Sequence, residues 1–397
     1  MTNSAKTKLK IQKLDFRGQG VSWDLDRITF VPQALPGEEV EIQRTKIHAH
    51  EQWGVITKIL QASPQRITPA CPHYASCAGC QYLHMAYPDE IAAKAQVLQE
   101  QLAHIAKINP GQLKIQIHPA EQRHTYRQRL QLHYDWPAQK IGFLNGLKII
   151  PVPHCQLPLP PLAKTLEKIY QDPATWQPPA AQPPRGHLEL AVWGKQVKWS
   201  WNRPYAAGGF CQVNPAMNAQ LKNVWQEIFR EQYQENCLEK SAPQTPDQDF
   251  REHHAPASIL DLFGGQGNLS ASLATHHRAL IVDAVAPSHP FALPFLAADL
   301  YAPTALATTL TAAAAQDLRP PLTWLIVDPP RSGFKQIAPW AQAWAAQNIL
   351  YVSCNAATLA RDLATLLPTY HLQQLHLFDF FPGTAHFESM AVLQKKM

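Results

Sequence analysis

The sequence lacks the features that would place a protein in a membrane or in a secretory route. Its 397 residues contain no apolar run of about 18 residues, the length that a membrane-spanning helix requires. The N-terminus is polar and basic and has no apolar segment of the kind found in secretion signals. We therefore expect a cytoplasmic protein with no membrane partner. No internal repeat is present either, which argues against a solenoid or a propeller.

The chain also lacks a strong charge of one sign. A formal charge of +5 and a pI near 8.7 permit a polyanionic partner without requiring one. An ordinary globular protein with a slightly basic surface fits these values equally well. Hydrophobic residues make up 46% of the chain, enough for two or three domains with a substantial core.

Cysteine is scarce and unevenly spaced. Of the seven cysteines, Cys71, Cys77 and Cys80 lie within ten residues, and the other four are Cys155, Cys211, Cys237 and Cys354. An odd number of cysteines in a chain without a secretion signal indicates metal binding or catalysis rather than disulfide bonds.

The first half of the chain is predicted to be rich in β-structure. Between Lys8 and Leu60, short strand-like runs alternate with glycine and proline, as in a small barrel. Residues 89–106 carry the apolar spacing of one amphipathic helix, with Asp89 as its N-cap. Residues 126–150 return to strand-like alternation. The proline-rich stretch 158–184 is predicted to be loop, and the polar stretch 234–258 an insertion.

From Ser258 onward, apolar strands, turns and helices alternate. Short buried runs end at Leu262, Asp283 and Asp328, and a later one leads into Cys354. Such a pattern predicts an open parallel α/β sheet, in which ligands bind at the carboxyl ends of the strands.

A glycine-rich turn follows the first of these strands. Asp261-Leu-Phe-Gly-Gly-Gln-Gly-Asn-Leu-Ser270 separates that strand from a predicted helix, and Asp283 ends the next strand. Glycines let backbone N–H groups approach an anionic ligand, and a strand-end acid can bind ribose hydroxyls. The turn predicts a nucleoside cofactor, although such turns also serve close packing of a strand against a helix.

Two further motifs lie at strand ends of the same sheet. Asp328-Pro-Pro-Arg331-Ser-Gly must turn away from the sheet, because proline cannot extend a strand ladder. Ser353-Cys354-Asn355 places a thiol where a strand gives way to a helix, a position that favours an exposed thiolate. The alternatives are a helix cap for Asp328 and a buried structural cysteine for Cys354. Downstream, Glu388 is either a surface acid or a partner of Cys354.

Taken together, these motifs resemble the RNA uracil-5-methyltransferase family. Asp-Pro-Pro-Arg-x-Gly, Ser-Cys-Asn-x-x-Thr-Leu-Ala-Arg-Asp and Phe-Pro-x-Thr-x-His-x-Glu occur here in the order found in that family. Phe210-Cys-Gln212-Val-Asn214 resembles its Phe-x-Gln-x-Asn element. The cysteine cluster with Cys155 resembles its iron–sulfur ligands, and the N-terminal region resembles a TRAM domain, an OB-like RNA-binding module. The resemblance covers nearly the whole chain and indicates the ribosomal RNA branch.

The resemblance implies a fold and a division of the chain. It implies an α/β protein whose C-terminal Rossmann-like methyltransferase domain spans 209–397. An OB-like TRAM barrel over 1–67 and a small β-rich iron–sulfur domain over 68–208 would precede it, with helix 89–106 packing on the catalytic domain. It also implies ribosomal RNA as partner and a monomer.

The resemblance likewise implies the roles of individual residues. Cys354 would add to C6 of a uracil, S-adenosyl-L-methionine would methylate C5, and Glu388 would remove the C5 proton before the thiol leaves. The target base would have to leave any stack. The cofactor and uracil pocket would be lined by Gln212, Phe263, Asn268, Asp283, Asp299 and Asp328.

The metal site and the RNA contacts keep alternatives open. Cys71, Cys77, Cys80 and Cys155 would hold a [4Fe–4S] cluster with a role in structure or in RNA positioning, and zinc is the alternative, because spacing alone does not separate the two. His84 and Tyr87 are interpreted as packing or RNA contacts. Phosphate contacts are predicted for three basic residues, Arg123, Arg127 and Arg129, for which a solvated strand face is the alternative.

The sequence departs from the family pattern after Asp283. Residues 284–298 are too short and too rich in proline for the helix that is usual there, so one cofactor wall is expected to be remodelled. Gly264 and Ala356 also replace the usual residues, without expected consequence for the chemistry. The shortened wall keeps a second function open, a non-catalytic RNA-binding protein on the same scaffold, although retention of Cys354 and Glu388 argues against it.

Overall fold

The computed structural model describes residues 6–112, 114–203, 212–238, 256–287 and 293–397, and within them the strands form three sheets. No helix in these ranges is both long enough and apolar enough to cross a bilayer.

The N-terminal sheet is curled. Its strands are β1 (Thr7–Lys10), β2 (Lys13–Leu14), β3 (Gly20–Ser22), β4 (Ile28–Val31), β5 (Glu39–Ile47) and β6 (Glu51–Gln61), in the order β1-β5-β6-β4-β3-β2. Three register shifts interrupt the β5–β6 pairing, and such irregularities bend a sheet. Six buried side chains fill the concave face: Leu9, Ile11, Val31, Ala34, Val40 and Ile42. This architecture is consistent with the predicted OB-like barrel.

The first helix, α1 (Tyr87–Ile105), starts two residues earlier than predicted. Pro88 occupies its first turn, where the missing N–H costs nothing, and Asp89 and Glu90 face the positive end of the helix dipole. The N-cap is therefore Ala86, not Asp89. Val97 and Leu98, on its inner face, share one core with residues of the C-terminal sheet. Each such burial contributes about 1.5–3 kcal/mol, so α1 is anchored to that sheet.

The middle of the chain forms an antiparallel sheet, together with one further strand and two α-helices. After β7 (Ile115–His118), the strands are β8 (Arg129–Asp135), β9 (Lys140–Asn145), β10 (Lys148–Ile150), β11 (Arg185–Trp193) and β12 (Gln196–Trp201), ordered β10-β9-β8-β11-β12. Two helices accompany them: α2 (Pro160–Gln171) and α3 (Pro215–Leu238). Helix α2 corrects the prediction that 158–184 is loop. Its prolines stand in the first turn, and Leu162, Leu166 and Ile169 form a buried stripe.

The C-terminal sheet has eight strands in the order β15-β14-β13-β16-β17-β19-β18-β7. Its elements are β13 (Ser258–Leu262), β14 (Arg278–Asp283), β15 (Phe295–Ala297), α4 (Ala305–Ala314), β16 (Trp324–Val327), α5 (Ile337–Ala343), β17 (Asn348–Ser353), α6 (Ala356–Leu366), β18 (Tyr370–Phe378) and β19 (Glu388–Lys395). Strands β13 to β17 are parallel, which confirms the predicted parallel α/β sheet. Strand β19 runs antiparallel to both of its neighbours.

Both faces of this sheet are covered. Leu262 and Val327 pack into the core that contains α1, while Ile259 and Trp324 pack against α3. Coverage on both sides explains why these strands are continuous apolar runs. The polar residues that follow the runs are consequently displaced to the strand ends, where they meet at one edge of the sheet.

Candidate active site

Cys354 lies at the carboxyl edge of the sheet, between β17 and α6. The Asn355 side chain caps the helix by accepting a hydrogen bond from the Ala357 N–H at 3.1 Å. Strand β17 pairs with β19, and its last pair is Ser353 with Ser389. Extended by one position, this antiparallel register sets Cys354 opposite Glu388. The two residues that carry the predicted covalent chemistry are thus brought together by strand pairing.

The surroundings of Cys354 favour the neutral thiol. Burial raises the pKa of this thiol to about 12, and the nearby carboxylates of Glu388 and Asp328 act in the same direction. The Arg331 guanidinium opposes them, both by its charge and by a hydrogen bond to the sulfur. Arg331 is therefore the group that favours the thiolate form. No catalytic role was predicted for Arg331 from the sequence.

Two carboxyl groups beside Cys354 are also held near their neutral forms. Glu388 is only 8% exposed, and burial raises its pKa well above the usual value, with a further contribution from Asp328. Burial among protein atoms raises the pKa of Asp328 to about 7, although part of its surface is exposed. A raised pKa makes an ionised carboxylate a stronger base, which is what general acid–base chemistry requires of Glu388.

The turn that carries Arg331 is fixed from α6. The buried Asp362 carboxylate accepts hydrogen bonds from the Phe334 N–H at 2.7 Å and the Tyr351 hydroxyl at 2.6 Å. Arg361 pairs with the same carboxylate and donates to the Ser332 carbonyl at 2.9 Å. Arg361 and Asp362 therefore position the turn. The sequence motif contained them but did not reveal this role, because their partners lie about 30 residues upstream.

The glycine-rich turn after β13 forms the other side of the edge. Phe263, Gly265 and Gly267 all adopt positive φ angles, of 60°, 53° and 73°. The following residues, predicted to be a helix, form a run of turns instead. Their backbone hydrogen bonds alternate between i→i−3 and i→i−4 partners, so no regular helix forms there. The site therefore does not face the dipole of a full helix. The Phe263 ring packs edge-on against Phe334, at 5.2 Å between centroids.

Three predicted cofactor residues bind neighbouring protein groups. Asp283 accepts from the backbone N–H groups of Gly265 and Val285, both at 3.0 Å. Asp299, which is exposed, accepts from the Tyr301 N–H two residues on, at 3.0 Å. Asn268 forms a reciprocal amide pair with Asn218 of α3, at 2.9 and 3.0 Å.

In its described parts, 284–287 and 293–298, the shortened stretch contains β15 and no helix. The remainder, 288–292, lies outside the described residues. The cofactor wall there consists of β15 and the turn after it.

The Phe-x-Gln-x-Asn element leads into α3. Its first two residues, Phe210 and Cys211, lie outside the described residues. The Gln212 carbonyl accepts a hydrogen bond from Gln128 at 2.6 Å. Asn214 donates to the Phe380 carbonyl at 3.4 Å and accepts from the Met217 N–H. The element therefore joins the central sheet to the loop that precedes Glu388.

Four cysteines line one cavity of about 380 Å³ next to the catalytic edge. They are Cys71, Cys77, Cys80 and Cys155, and the same cavity reaches Arg331, Phe381 and His386. Burial raises the pKa of Cys80 to about 12 and that of Cys155 to about 11, and neighbouring cysteines act in the same direction. Among the described residues, no three potential ligands are arranged to hold a single metal ion. Four thiols around a shared space nevertheless form a soft-ligand donor set suited to a multi-iron cluster.

The predicted phosphate contacts have different surroundings. Arg123 and Arg129 pair with Glu90 and Glu189, each with an N–O distance of 2.6 Å. Neither therefore lies on a solvated strand face. Arg127 lines the cysteine cavity. His84 is buried against the Tyr74 hydroxyl, which supports packing as its role.

Comparisons with known proteins find similarity to RNA uracil-5-methyltransferases. A family described as tRNA (Uracil-5-)-methyltransferase matches residues 321–396. The chain is 28% identical to the 23S rRNA (uracil(1939)-C(5))-methyltransferase RlmD of Vibrio cholerae, over 97% of this chain and 95% of that protein. It is also 28% identical to the protein of that name from Shewanella sp., over 98% and 96%.

Among solved structures, the fold is similar to that of the Pyrococcus abyssi tRNA (uracil-54, C5)-methyltransferase in complex with S-adenosyl-L-homocysteine. The TM-score is 0.63 at 17% identity, covering 98% of this chain and 100% of that one. This likeness supports the fold over the whole length of the chain.

Proposed function

We propose that the chain is an RNA uracil-5-methyltransferase and that it forms 5-methyluridine in 23S ribosomal RNA from S-adenosyl-L-methionine. One observation carries the proposal: the β17–β19 register sets Cys354 opposite Glu388 at the ligand-binding edge of the sheet. The ribosomal substrate rests on similarity over nearly the whole length to enzymes named for it.

The proposed reaction is covalent. The Cys354 sulfur adds to C6 of the uracil, and the electron pair of the C5–C6 double bond passes into an enolate. S-adenosyl-L-methionine, when bound, would supply an electrophilic methyl group for C5, with its sulfur–methyl bond broken and S-adenosyl-L-homocysteine as the leaving group. Glu388 then takes the proton from C5, the double bond re-forms, and the C6–sulfur bond breaks to release the thiolate. Each bond that forms is matched by one that breaks, so no redox partner is needed.

Arg331 and Asp328 support this cycle. Arg331 stabilises the thiolate, which is the reactive form, against the burial and the two carboxylates that favour the thiol. The carboxyl of Asp328 remains partly protonated near neutral pH, because its pKa is about 7. It can therefore donate a hydrogen bond to a uracil carbonyl.

The cofactor pocket is proposed along the other half of the edge, at the predicted residues Gln212, Phe263, Asn268, Asp283 and Asp299. Phe263 offers a ring to the adenine, and Asp283 and Asp299 follow strands whose carboxyl ends face the same space. A strand-end carboxylate can accept the hydrogen bonds of ribose hydroxyls or of the adenine amino group.

The four-cysteine cavity is proposed to hold a [4Fe–4S] cluster. Four thiolates around one cavity are the donor set of such a cluster, and zinc, the alternative, would need all four sulfurs about 2.3 Å from one point. Such a cluster would cross-link Cys71, Cys77 and Cys80 to the distant Cys155. Anaerobic purification followed by iron and sulfide assays tests this, and stoichiometric zinc without sulfide would contradict it.

RNA binding is proposed for the N-terminal sheet, as a TRAM domain. Phe16 and Trp23 are 56% and 48% exposed there, and the Arg17 guanidinium lies 5.2 Å from the Phe16 ring centre. Exposed rings beside a cation suit the stacking of unpaired bases. A ribosomal RNA substrate implies a cytoplasmic location, and since all site residues come from one chain, a monomer suffices.

Methyl transfer to natural RNA tests the function. The substrate is 23S ribosomal RNA from cells that lack the protein, incubated with radiolabelled S-adenosyl-L-methionine and the purified protein. We expect label in 5-methyluridine from the wild type, and at least about 10³-fold less from Cys354→Ala, because the covalent route is lost. RNA binding without methyl transfer by the wild type would instead favour the non-catalytic RNA-binding protein.

A further inference from the structure

The loop from Asp379 to Glu388 joins β18 to β19 and carries the proposed base at its end. Its backbone is held by residues far upstream in the chain. The Gln81 and Tyr82 N–H groups both donate to the Gly383 carbonyl at 2.9 Å. The Tyr126 hydroxyl donates to the Pro382 carbonyl at 3.1 Å. The loop is thus fixed by the region between the cysteine cluster and the central sheet.

Lys94 of α1 lies at the centre of these contacts and is fully buried. Its ammonium donates to Glu90 and to Asp379, both at 2.7 Å, and to the Phe381 carbonyl at 3.3 Å. All three ammonium hydrogens thereby have acceptors, two of which belong to the loop. Lys94 therefore ties both ends of the segment 379–381 to α1.

Glu90, also fully buried, extends the contact to the next part of the loop. Its Oε1 accepts from the Gly383 N–H at 2.6 Å, and its Oε2 pairs with Arg123 at 2.6 Å. Asp379 in turn accepts from the Tyr87 hydroxyl at 2.8 Å. Two carboxylates and two cations thus balance one another in a closed, hydrogen-bonded network.

Such a network is an unusual way to stabilise a core. Replacing buried ion pairs with packed apolar side chains often leaves stability unchanged or improves it, whereas removing one partner leaves a buried charge uncompensated. What the network does provide is a single arrangement of the loop. Gly383 adopts a φ of +81°, and a Cβ there would lie 2.8 Å from the Leu83 side chain, so the loop packs closely against the segment that precedes α1.

We propose that Lys94 and Glu90 are positioning residues that hold the 379–388 loop so that Glu388 reaches the C5 proton of the methylated adduct. The proposal rests on the proposed function and deepens it. Neither residue touches the uracil. Their effect is confined to proton removal, since Cys354 and the Arg331 turn are held separately by β17 and α6.

The test separates adduct formation from adduct release in Lys94→Met, which keeps the chain length and removes the charge. RNA with 5-fluorouridine at the target traps the enzyme without proton removal, and we expect trapping within about twofold of wild type. With uridine RNA in a single turnover, we expect the methylated adduct to persist and its release to slow roughly 10²-fold, the cost typical of a misplacement of about 1 Å.

Two variants control for general damage. Glu100→Gln, on the same helix, removes a partly exposed ion pair with Lys13 of β2 and should release product at the wild-type rate. The isosteric Glu90→Gln should slow release in the same direction but less. In hydrogen exchange, the Gly383 amide should lose protection in Lys94→Met while the β19 amides keep theirs.

Three results would overturn the proposal. If Lys94→Met released product at the wild-type rate, the loop would not need the contacts of Lys94 and Glu90, which are here called the clamp. If the rates of trapping and of release fell equally in Lys94→Met and in Glu90→Gln, the role of the clamp would be purely structural. A wild type that is never trapped by 5-fluorouridine RNA would remove the proposed covalent mechanism itself, and the clamp proposal with it, so the two failures are distinguishable.

Discussion

The two halves of the catalytic edge are held in different ways. On the nucleophile side, buried side chains cross-brace the backbone: Asp362 fixes the Arg331 turn, and Lys94 and Glu90 fix the loop before Glu388. On the cofactor side, the Asp283 and Asp299 carboxylates accept hydrogen bonds from backbone N–H groups close to the edge, and among the described residues no buried ion pair braces them. Catalytic groups must be held within about 0.5 Å of their productive positions, so side-chain bracing matters most where a covalent bond forms. Substitutions on the nucleophile side should therefore cost far more.

The largest effect is expected for Glu388→Gln, which keeps the shape and removes the base. Turnover should fall by about 10²–10⁴-fold, the usual contribution of a positioned base. Adduct formation should continue, so protein linked to ordinary uridine RNA should accumulate in the reaction. Denaturing gels would detect it. Normal turnover without accumulated adduct would assign proton removal to another group.

Arg331→Gln should have an intermediate effect. The guanidinium lowers the pKa of the Cys354 thiol, so its loss should slow trapping by 5-fluorouridine RNA about tenfold, or about 1.4 kcal/mol. Because the thiol pKa is about 12, the thiolate fraction increases with pH throughout the neutral range. Trapping by wild type and variant should accelerate between about pH 7 and pH 9. A flat profile would contradict the assignment of a neutral resting thiol.

Asp283→Asn and Asp299→Asn should have the smallest effects. Each removes one carboxylate from the proposed cofactor wall, so the KM for S-adenosyl-L-methionine should increase about three- to tenfold with kcat nearly unchanged. Trapping at saturating cofactor provides the control and should be normal. A loss in kcat that saturating cofactor does not restore would mean that this side needs the same precision as the other.

Strand ends were the predictable part of the site. Apolar runs ending in Asp283, Asp328 and Cys354 predicted parallel strands, and the carboxyl ends of parallel strands must meet at one edge. The curled N-terminal sheet was likewise visible in closely spaced glycine and proline. The roles of the individual site residues remain predictions.

Contacts between distant segments were not predictable. Nothing local to Lys94 indicates a partner 285 residues away, and a lysine on an amphipathic helix is ordinarily exposed. Helix α2 was missed because its prolines suggested loop, although proline fits a first helical turn. The turns after Gly267 were missed because a glycine-rich loop before an apolar run usually begins a helix.

The site of covalent attachment tests the central claim most directly. The wild-type protein is trapped on RNA containing 5-fluorouridine in the presence of S-adenosyl-L-methionine, digested, and analysed by mass spectrometry. The covalent mechanism predicts a fluorinated, methylated uridine on the peptide that contains Cys354, and no adduct with Cys354→Ala. An adduct on Cys71, Cys77, Cys80 or Cys155, or one that survives the Cys354→Ala substitution, would contradict it.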